Sequence, residues 1–194
     1  MNNLFLYFIR QKIYLILILI LSFVSLFFIS LKIDGSTNKF LIQNDPEKPI
    51  YERAIKLFGS DNSEVITIGT KDLFTYEKLS KIKDLIFELK KIDGVIDVDS
   101  LFNQKNIVNK NGELHNDVFI DPYSIPKNKK VLEEIKQDAL NNNLVKGIFI
   151  SNDGKYLFID LRLKNDRSSE YSKYIYNSIE KILNKYRDNF SYLT

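Results

Sequence analysis

The sequence predicts an α+β fold made of an N-terminal transmembrane helix and one mixed domain that follows it. Nineteen consecutive residues, Ile13 to Leu31, carry no charge. After them, stretches with strand-like alternation and stretches with helical periodicity follow one another along the chain. The 163 residues from position 32 onward suffice for one domain with its own core but hardly for two.

The uncharged segment has the length of a membrane span. Fifteen of its nineteen residues are Ile, Leu, Phe or Val, and as a helix it measures about 28 Å, close to the hydrocarbon thickness of about 30 Å. A cleaved signal peptide is the competing interpretation, because Arg10 and Lys12 precede the segment. The apolar part of a signal peptide, however, is usually only ~7 to 15 residues long and ends in a small-residue cleavage motif. We therefore predict an uncleaved transmembrane helix over residues 13–33, between an N-terminal segment (1–12) and a connector (34–62).

The charges around this segment leave its orientation open. Arg10, Lys12 and the terminal amine favour a cytoplasmic N-terminus. Lys32, Lys39 and Lys48, however, follow the span within a comparable stretch. Because orientation depends on the Lys and Arg count, which is nearly balanced here, both topologies remain possible.

Three elements are predicted in the first part of the domain region. The connector holds a short helix over Ile50–Phe58, and the β-branched residues of Glu64–Thr70 indicate a strand. Thr75 is a favoured N-cap residue. The apolar residues that follow it recur at spacings of three and four, which predicts a helix over Tyr76–Ile92. Asp93-Gly94 ends this helix.

A strand, a polar excursion and a further helix are predicted next. Val95–Leu101 alternates as a strand does, whereas residues 102–127 are polar and contain Gly and Pro, so we predict a long surface loop there. The helix predicted over residues 128–141 has one apolar face, formed by Val131, Leu132, Ile135 and Ala139.

The last part of the chain predicts a hairpin, a helix and a closing strand. Gly147–Ser151 and Tyr156–Leu163 are the two arms, joined by a turn over residues 152–155 that contains Asp153-Gly154. The helix extends over Ser169–Arg187, and residues 190–194 begin the closing strand.

With the inserted loop and helix removed, the order of elements is strand, helix, strand, strand, helix, strand. This is the order of the split βαβ, or ferredoxin-like, fold (βαββαβ). We assign it to residues 63–194 and expect both helices to cover one face of an antiparallel sheet. Many functions occur on this fold, so the architecture alone selects none.

The composition argues against several functions. The chain has no cysteine and one histidine, His115, so no His-based metal cluster can form, and a serine nucleophile would depend on this residue as its base. His115 lies in the predicted surface loop.

Asp93, Asp97 and Asp99 match no calcium loop, and a solvated strand face is the better interpretation. The net charge of +3 is spread along the chain and indicates no nucleic-acid partner. We predict no catalytic residue, metal site or cofactor.

A series of short motifs follows the apolar segment along nearly the whole chain. In order they are Asp45-Pro46 with Tyr51, Phe58-Gly59, Asp72–Thr75, Gly94-Val95 with Val98, Ser100-Leu101 and Gly147–Gly154. This series resembles the start of transporters of the resistance-nodulation-division (RND) superfamily, and most of all the branch of the large mycobacterial membrane (MMPL) transporters and hopanoid exporters. The resemblance implies that residues 63–194 are a porter-type subdomain.

The resemblance implies a proton-driven exporter in the bacterial inner membrane. Residues 1–12 are then cytoplasmic or interfacial, and residues after about 33 are extracytoplasmic and form part of the path of a lipidic or amphipathic substrate. In the family the chain continues into further porter sequence and more membrane helices, which carry the proton relay.

We therefore expect an N-terminal fragment that is truncated at the C-terminus of the porter subdomain and is not transport-competent alone. Its expected partners are the lipid bilayer and the remainder of the transporter or further subunits. Phe102–Lys127 is the segment that we would probe first for substrate contact, although the sequence names no individual substrate-binding residue.

Two other interpretations remain, and the first of them keeps the chain whole. A complete single-pass, membrane-anchored extracytoplasmic domain that binds a partner, senses a ligand or serves as a scaffold fits the composition equally well. A membrane-tethered hydrolase ranks last, because no nucleophile has a positioned base. A reading frame that continues past the Thr194 codon favours the exporter, and a genuine stop favours the anchored domain.

Overall fold

The computed structural model describes residues 12–24, 46–110, 113–166 and 168–194. The chain divides into two compact units, residues 1–34 and 35–194. In the first unit, residues 12–24 form a helix, α1.

The prediction of a transmembrane helix over residues 13–33 is wrong. Within the described ranges, no helix is both long enough and apolar enough to cross a membrane. Residues 25–33 of the predicted span and residues 1–11 before it lie outside the described part of the chain.

The second unit has the α+β class that the sequence predicts. A 3₁₀ turn, Arg187–Asn189, follows its last helix. Its helices are α2 (Lys48–Phe58), α3 (Tyr76–Leu89), α4 (Lys129–Asn141) and α5 (Ser169–Tyr186), and its strands are β1 (Ser63–Gly69), β2 (Val95–Asp99), β3 (Lys105–Lys110), β4 (Glu113–Val118), β5 (Tyr156–Leu163) and β6 (Tyr192–Leu193).

Four of the strands form one sheet in the order β2-β5-β1-β6. Because β5 is antiparallel to both β1 and β2, it lies between two strands that are parallel to each other, which is the arrangement of a split βαβ unit. In the register of β1 and β5, Ile66 pairs with Ile159 and Ile68 with Leu157. These side chains are buried in one core with the apolar faces of α3 and α5.

The insertion between β2 and β5 is more regular than the sequence predicts. Residues 102–127 are not one long loop, because β3 and β4 pair within them as a separate antiparallel sheet. His115 is therefore a strand residue opposite Val108, not a loop residue. Ile120 and Leu132, on either side of the following connection, are buried in the main core. The insertion thus contributes to the core of the domain.

The predicted hairpin around residue 153 is only partly present. The second arm is β5, but residues 147–151 form no strand and contact β5 through a single bridge between Ile150 and Leu157. Gly147 has a φ of 78°, a left-handed conformation that interrupts an extended arm. The turn itself forms, since Ser151 N donates to Tyr156 O and Gly154 N donates to Ser151 O.

Candidate functional site

A cleft of about 180 Å³ lies between α3, the end of β2 and the insertion, and we call it the insertion cleft. Its polar lining is Lys83, Lys90, Ser100 and Asn103. Its apolar lining is Ile86, Phe87, Val98, Phe102, Pro122 and Tyr123.

Two aromatic side chains from distant parts of the sequence meet at the mouth of this cleft. The ring centroids of Phe87 and Tyr123 are 6.3 Å apart, with the planes tilted by 37°. Phe87 is 36% exposed and Tyr123 is 88% exposed, so both rings offer apolar surface to a ligand. A hydrogen bond from Tyr123 N to Asp121 Oδ1, 2.9 Å long, turns the chain and holds Tyr123 beside the helix.

The floor of the cleft is held in place by side-chain hydrogen bonds to the backbone. Asn103 Oδ1 accepts from Ser100 N at 2.8 Å, and Asn103 Nδ2 donates to Val98 O at 3.1 Å. Ser100 is only 3% exposed, and its Oγ accepts from Phe102 N at 3.3 Å. These bonds fix the turn after β2 before any ligand arrives.

The rim of the cleft carries two lysines, and each lies beside an acidic side chain. Lys83 lies 3.3 Å from Asp84, and Lys90 lies 3.9 Å from Asp97. Surface ion pairs of this kind contribute at most about 1 kcal/mol, so both ammonium groups can turn toward an anionic group. The cleft is smaller than a whole ligand site, which is usually ~300 Å³ or more. It therefore suits one ring or a short alkyl segment of a larger amphipathic molecule.

The three aspartates near β2 each have a different cationic partner. Lys164 Nζ donates to Asp93 Oδ1 at 2.8 Å, and this hydrogen bond lowers the pKa of Asp93. Asp97 pairs with Lys90, as described above. Asp99 accepts from Arg162 at 3.0 Å. Within the described ranges, no three residues of metal-ligating type come close enough to hold an ion together.

The insertion cleft has ten lining residues among those described. The segment Phe102–Lys127, which the sequence singles out for substrate contact, supplies four of its lining residues. Four more lie on α3 or directly after it, and the sequence did not predict them as part of a site. The available signal was Phe87, an aromatic residue that lies off the apolar face of its helix.

No protein-family model and no curated protein matches the chain.

Proposed function

We propose that residues 63–194 are a porter-type subdomain of a proton-driven exporter of the RND superfamily, from the branch of the MMPL transporters and hopanoid exporters. One observation carries this proposal: the residues of the resemblance stand at positions on which the fold depends. Thr75 Oγ caps α3 by accepting from Lys78 N at 3.4 Å. Gly94 adopts a φ of 102° between α3 and β2. Leu101 is 1% exposed in the core.

The insertion cleft supports an amphipathic substrate. Its aromatic mouth offers apolar contact and its two lysines offer charge at the rim, so it can hold one end of a lipidic molecule without any chemical step. In this proposal the domain lies on the extracytoplasmic side of the bacterial inner membrane. The proton-driven step belongs to the remainder of the exporter or to further subunits.

The proposal is tested by efflux from bacterial cells that carry the gene in its full reading frame. Deletion of the gene is expected to raise the accumulation of an amphipathic fluorescent dye, and a protonophore is expected to raise it in wild-type cells to the same level. Phe87→Ala and Tyr123→Ala are expected to reproduce part of the deletion phenotype. Tyr176→Ala is the matched control, because Tyr176 is a 65% exposed aromatic residue on α5 outside the cleft.

Two results would contradict the proposal. Equal dye accumulation with and without the gene, over a panel of cationic, neutral and anionic amphiphiles, would rule out export. Unchanged accumulation together with a protein partner bound by the purified chain would favour the alternative, a binding, sensing or scaffold domain.

A further inference from the structure

A second cleft, of about 410 Å³, lies at one end of the four-stranded sheet. Its walls come from Gly69 at the end of β1, Tyr156 at the start of β5 and Tyr192 at the start of β6. Lys71 and Lys155 belong to the adjoining turns and also line it. We call it the tyrosine cleft, and it shares no lining residue with the insertion cleft.

The two tyrosines meet over a glycine. Gly69 pairs with Tyr156 on one side and with Tyr192 on the other, so the three residues form a row across the sheet face that points away from the core. A Cβ atom on Gly69 would lie 2.6 Å from two atoms of the Tyr156 ring, which places that ring directly over the glycine backbone.

The result is an aromatic corner that is open to solvent. The ring centroids of Tyr156 and Tyr192 are 6.0 Å apart and the planes are nearly perpendicular, at 85°. The side chains are 39% and 49% exposed. Covering a strand glycine with an aromatic ring is a known structural device, and it accounts for Tyr156. It accounts neither for Tyr192 nor for the two lysines.

The charge at the tyrosine cleft is positive. Lys71 has no ion pair within the described residues, and Lys155 lies 3.3 Å from Asp153, with both side chains largely exposed. Such a pair is weak and can be exchanged for another anion. Among the described residues that line the cleft, none is acidic.

We propose that the tyrosine cleft binds an amphipathic anion. The apolar body of the ligand lies against Tyr156 and Tyr192, and its carboxylate or phosphate head group lies between Lys71 and Lys155. Aromatic side chains provide large apolar contact areas with little loss of conformational entropy, and the lysines select the sign of the charge. The volume of the cleft falls in the usual range for small-molecule sites. This ligand class follows from the lining side chains and does not rest on the exporter proposal.

The test is a fluorescence titration of the purified chain with dansyl-undecanoate below its micellar concentration, with the methyl ester of the same probe as the neutral comparison. Lys71→Ala is expected to raise the Kd of the anionic probe about fivefold, the effect of one charge pair at contact distance in water. It is expected to leave the Kd of the ester unchanged. Tyr192→Ala is expected to weaken both probes.

Matched controls are available on the outer face of α5. Lys173→Ala and Tyr176→Ala remove an exposed lysine and an exposed tyrosine outside the cleft, and both are expected to bind the probes as the wild type does. Far-UV circular dichroism establishes that every variant is folded. Gly69→Ala places a methyl group under the Tyr156 ring while both lysines remain, and it is expected to weaken both probes.

A competition experiment shows whether the cleft binds an amphipathic anion or any small anion. Dodecyl phosphate is expected to displace the probe and inorganic phosphate alone is not, because the apolar body is required. Displacement by inorganic phosphate at the same concentration as dodecyl phosphate would overturn the proposal. So would equal Kd values for Lys71→Ala and Lys173→Ala, or equal affinities of the wild type for the acid and the ester. None of these results depends on whether the gene encodes an exporter.

Discussion

Gly94 is the position at which a single methyl group should disturb the fold most. A Cβ atom there would lie 2.6 Å from the hydroxyl of Tyr171 and 3.1 Å from Cδ1 of Ile175, both on α5. The φ of 102° adds a backbone cost of roughly 1–2 kcal/mol for any L side chain. Displacement of the tyrosine ring costs about 1–3 kcal/mol in packing. The hydrogen bond that the Tyr171 hydroxyl donates to Gly94 O, 3.0 Å long, contributes about 1 kcal/mol.

Gly94→Ala is therefore expected to lower the free energy of unfolding by about 3–5 kcal/mol, because these contributions overlap. The assay is urea denaturation followed by far-UV circular dichroism. Gly59→Ala is the matched control, since Gly59 has a φ of 89° but no neighbour within 4 Å of the added methyl group; it should cost only the backbone share of roughly 1–2 kcal/mol. Tyr171→Phe should cost about 1 kcal/mol. Equal losses in Gly94→Ala and Gly59→Ala would refute the packing of α5 against the start of β2.

Further predictions concern the contact between α3 and α5 and the role of the insertion. Hydrogen bonds from Lys185 and Tyr186 lower the pKa of Glu88 below its ordinary value of 4.5, so its contribution to stability is complete above pH 4.5 and is lost as the pH falls through the lower pKa of the folded state. In urea denaturation at a series of pH values, Glu88→Gln should be less stable than the wild type at pH 7 by up to about 1 kcal/mol, and this difference should shrink in acid. Burial raises the pKa of Tyr186 to about 12. The stability that this buried neutral hydroxyl contributes is therefore present below pH 10 and is lost as the pH rises from 10 to about 12. Tyr186→Phe has no hydroxyl to titrate and should lack this alkaline loss of stability. Leu132→Ala should cost about 2–5 kcal/mol, because Leu132 is 1% exposed. Val131→Ala, at a position 37% exposed on the same helix, should cost clearly less, and equal losses would contradict the burial of Leu132 in the core.

The sequence predicts the elements that have a strong hydrophobic period. The apolar spacing of α3 and the strict alternation of β5 locate both elements to within about three residues, and the N-cap residue Thr75 marks the start of α3 correctly. The order of elements then suggests the split βαβ arrangement, which the pairing of β5 with β1 and β2 provides.

The predictions from the sequence are wrong where the local composition of a segment does not match the structure that the segment adopts. β3 and β4 are rich in Asn, Lys and other polar residues, so they have little β-propensity of their own, although the Asn111-Gly112 dipeptide between them is a hairpin signal. The arm predicted over residues 147–151 has β-branched residues, but Gly147 turns the chain. Hydrophobicity alone suggested a spanning helix over residues 13–33, whereas no helix within the described ranges is long and apolar enough to cross a membrane.

The clefts are harder to predict than the fold. Phe87 and Tyr123 are 36 positions apart in the sequence, and Gly69 and Tyr192 are further apart still. Their proximity results from the insertion packing beside α3 and from β6 pairing with the end of β1, and neither contact leaves a local pattern in the sequence.

The most direct test of the central claim, that this domain belongs to an RND-type exporter, is the nucleotide sequence that follows the Thr194 codon in the genome. We predict an open frame that continues through further porter sequence and several long apolar segments, one of which carries acidic residues for the proton relay. A stop codon at that point with no transporter sequence after it would contradict the exporter proposal and would leave a binding domain with two ligand clefts.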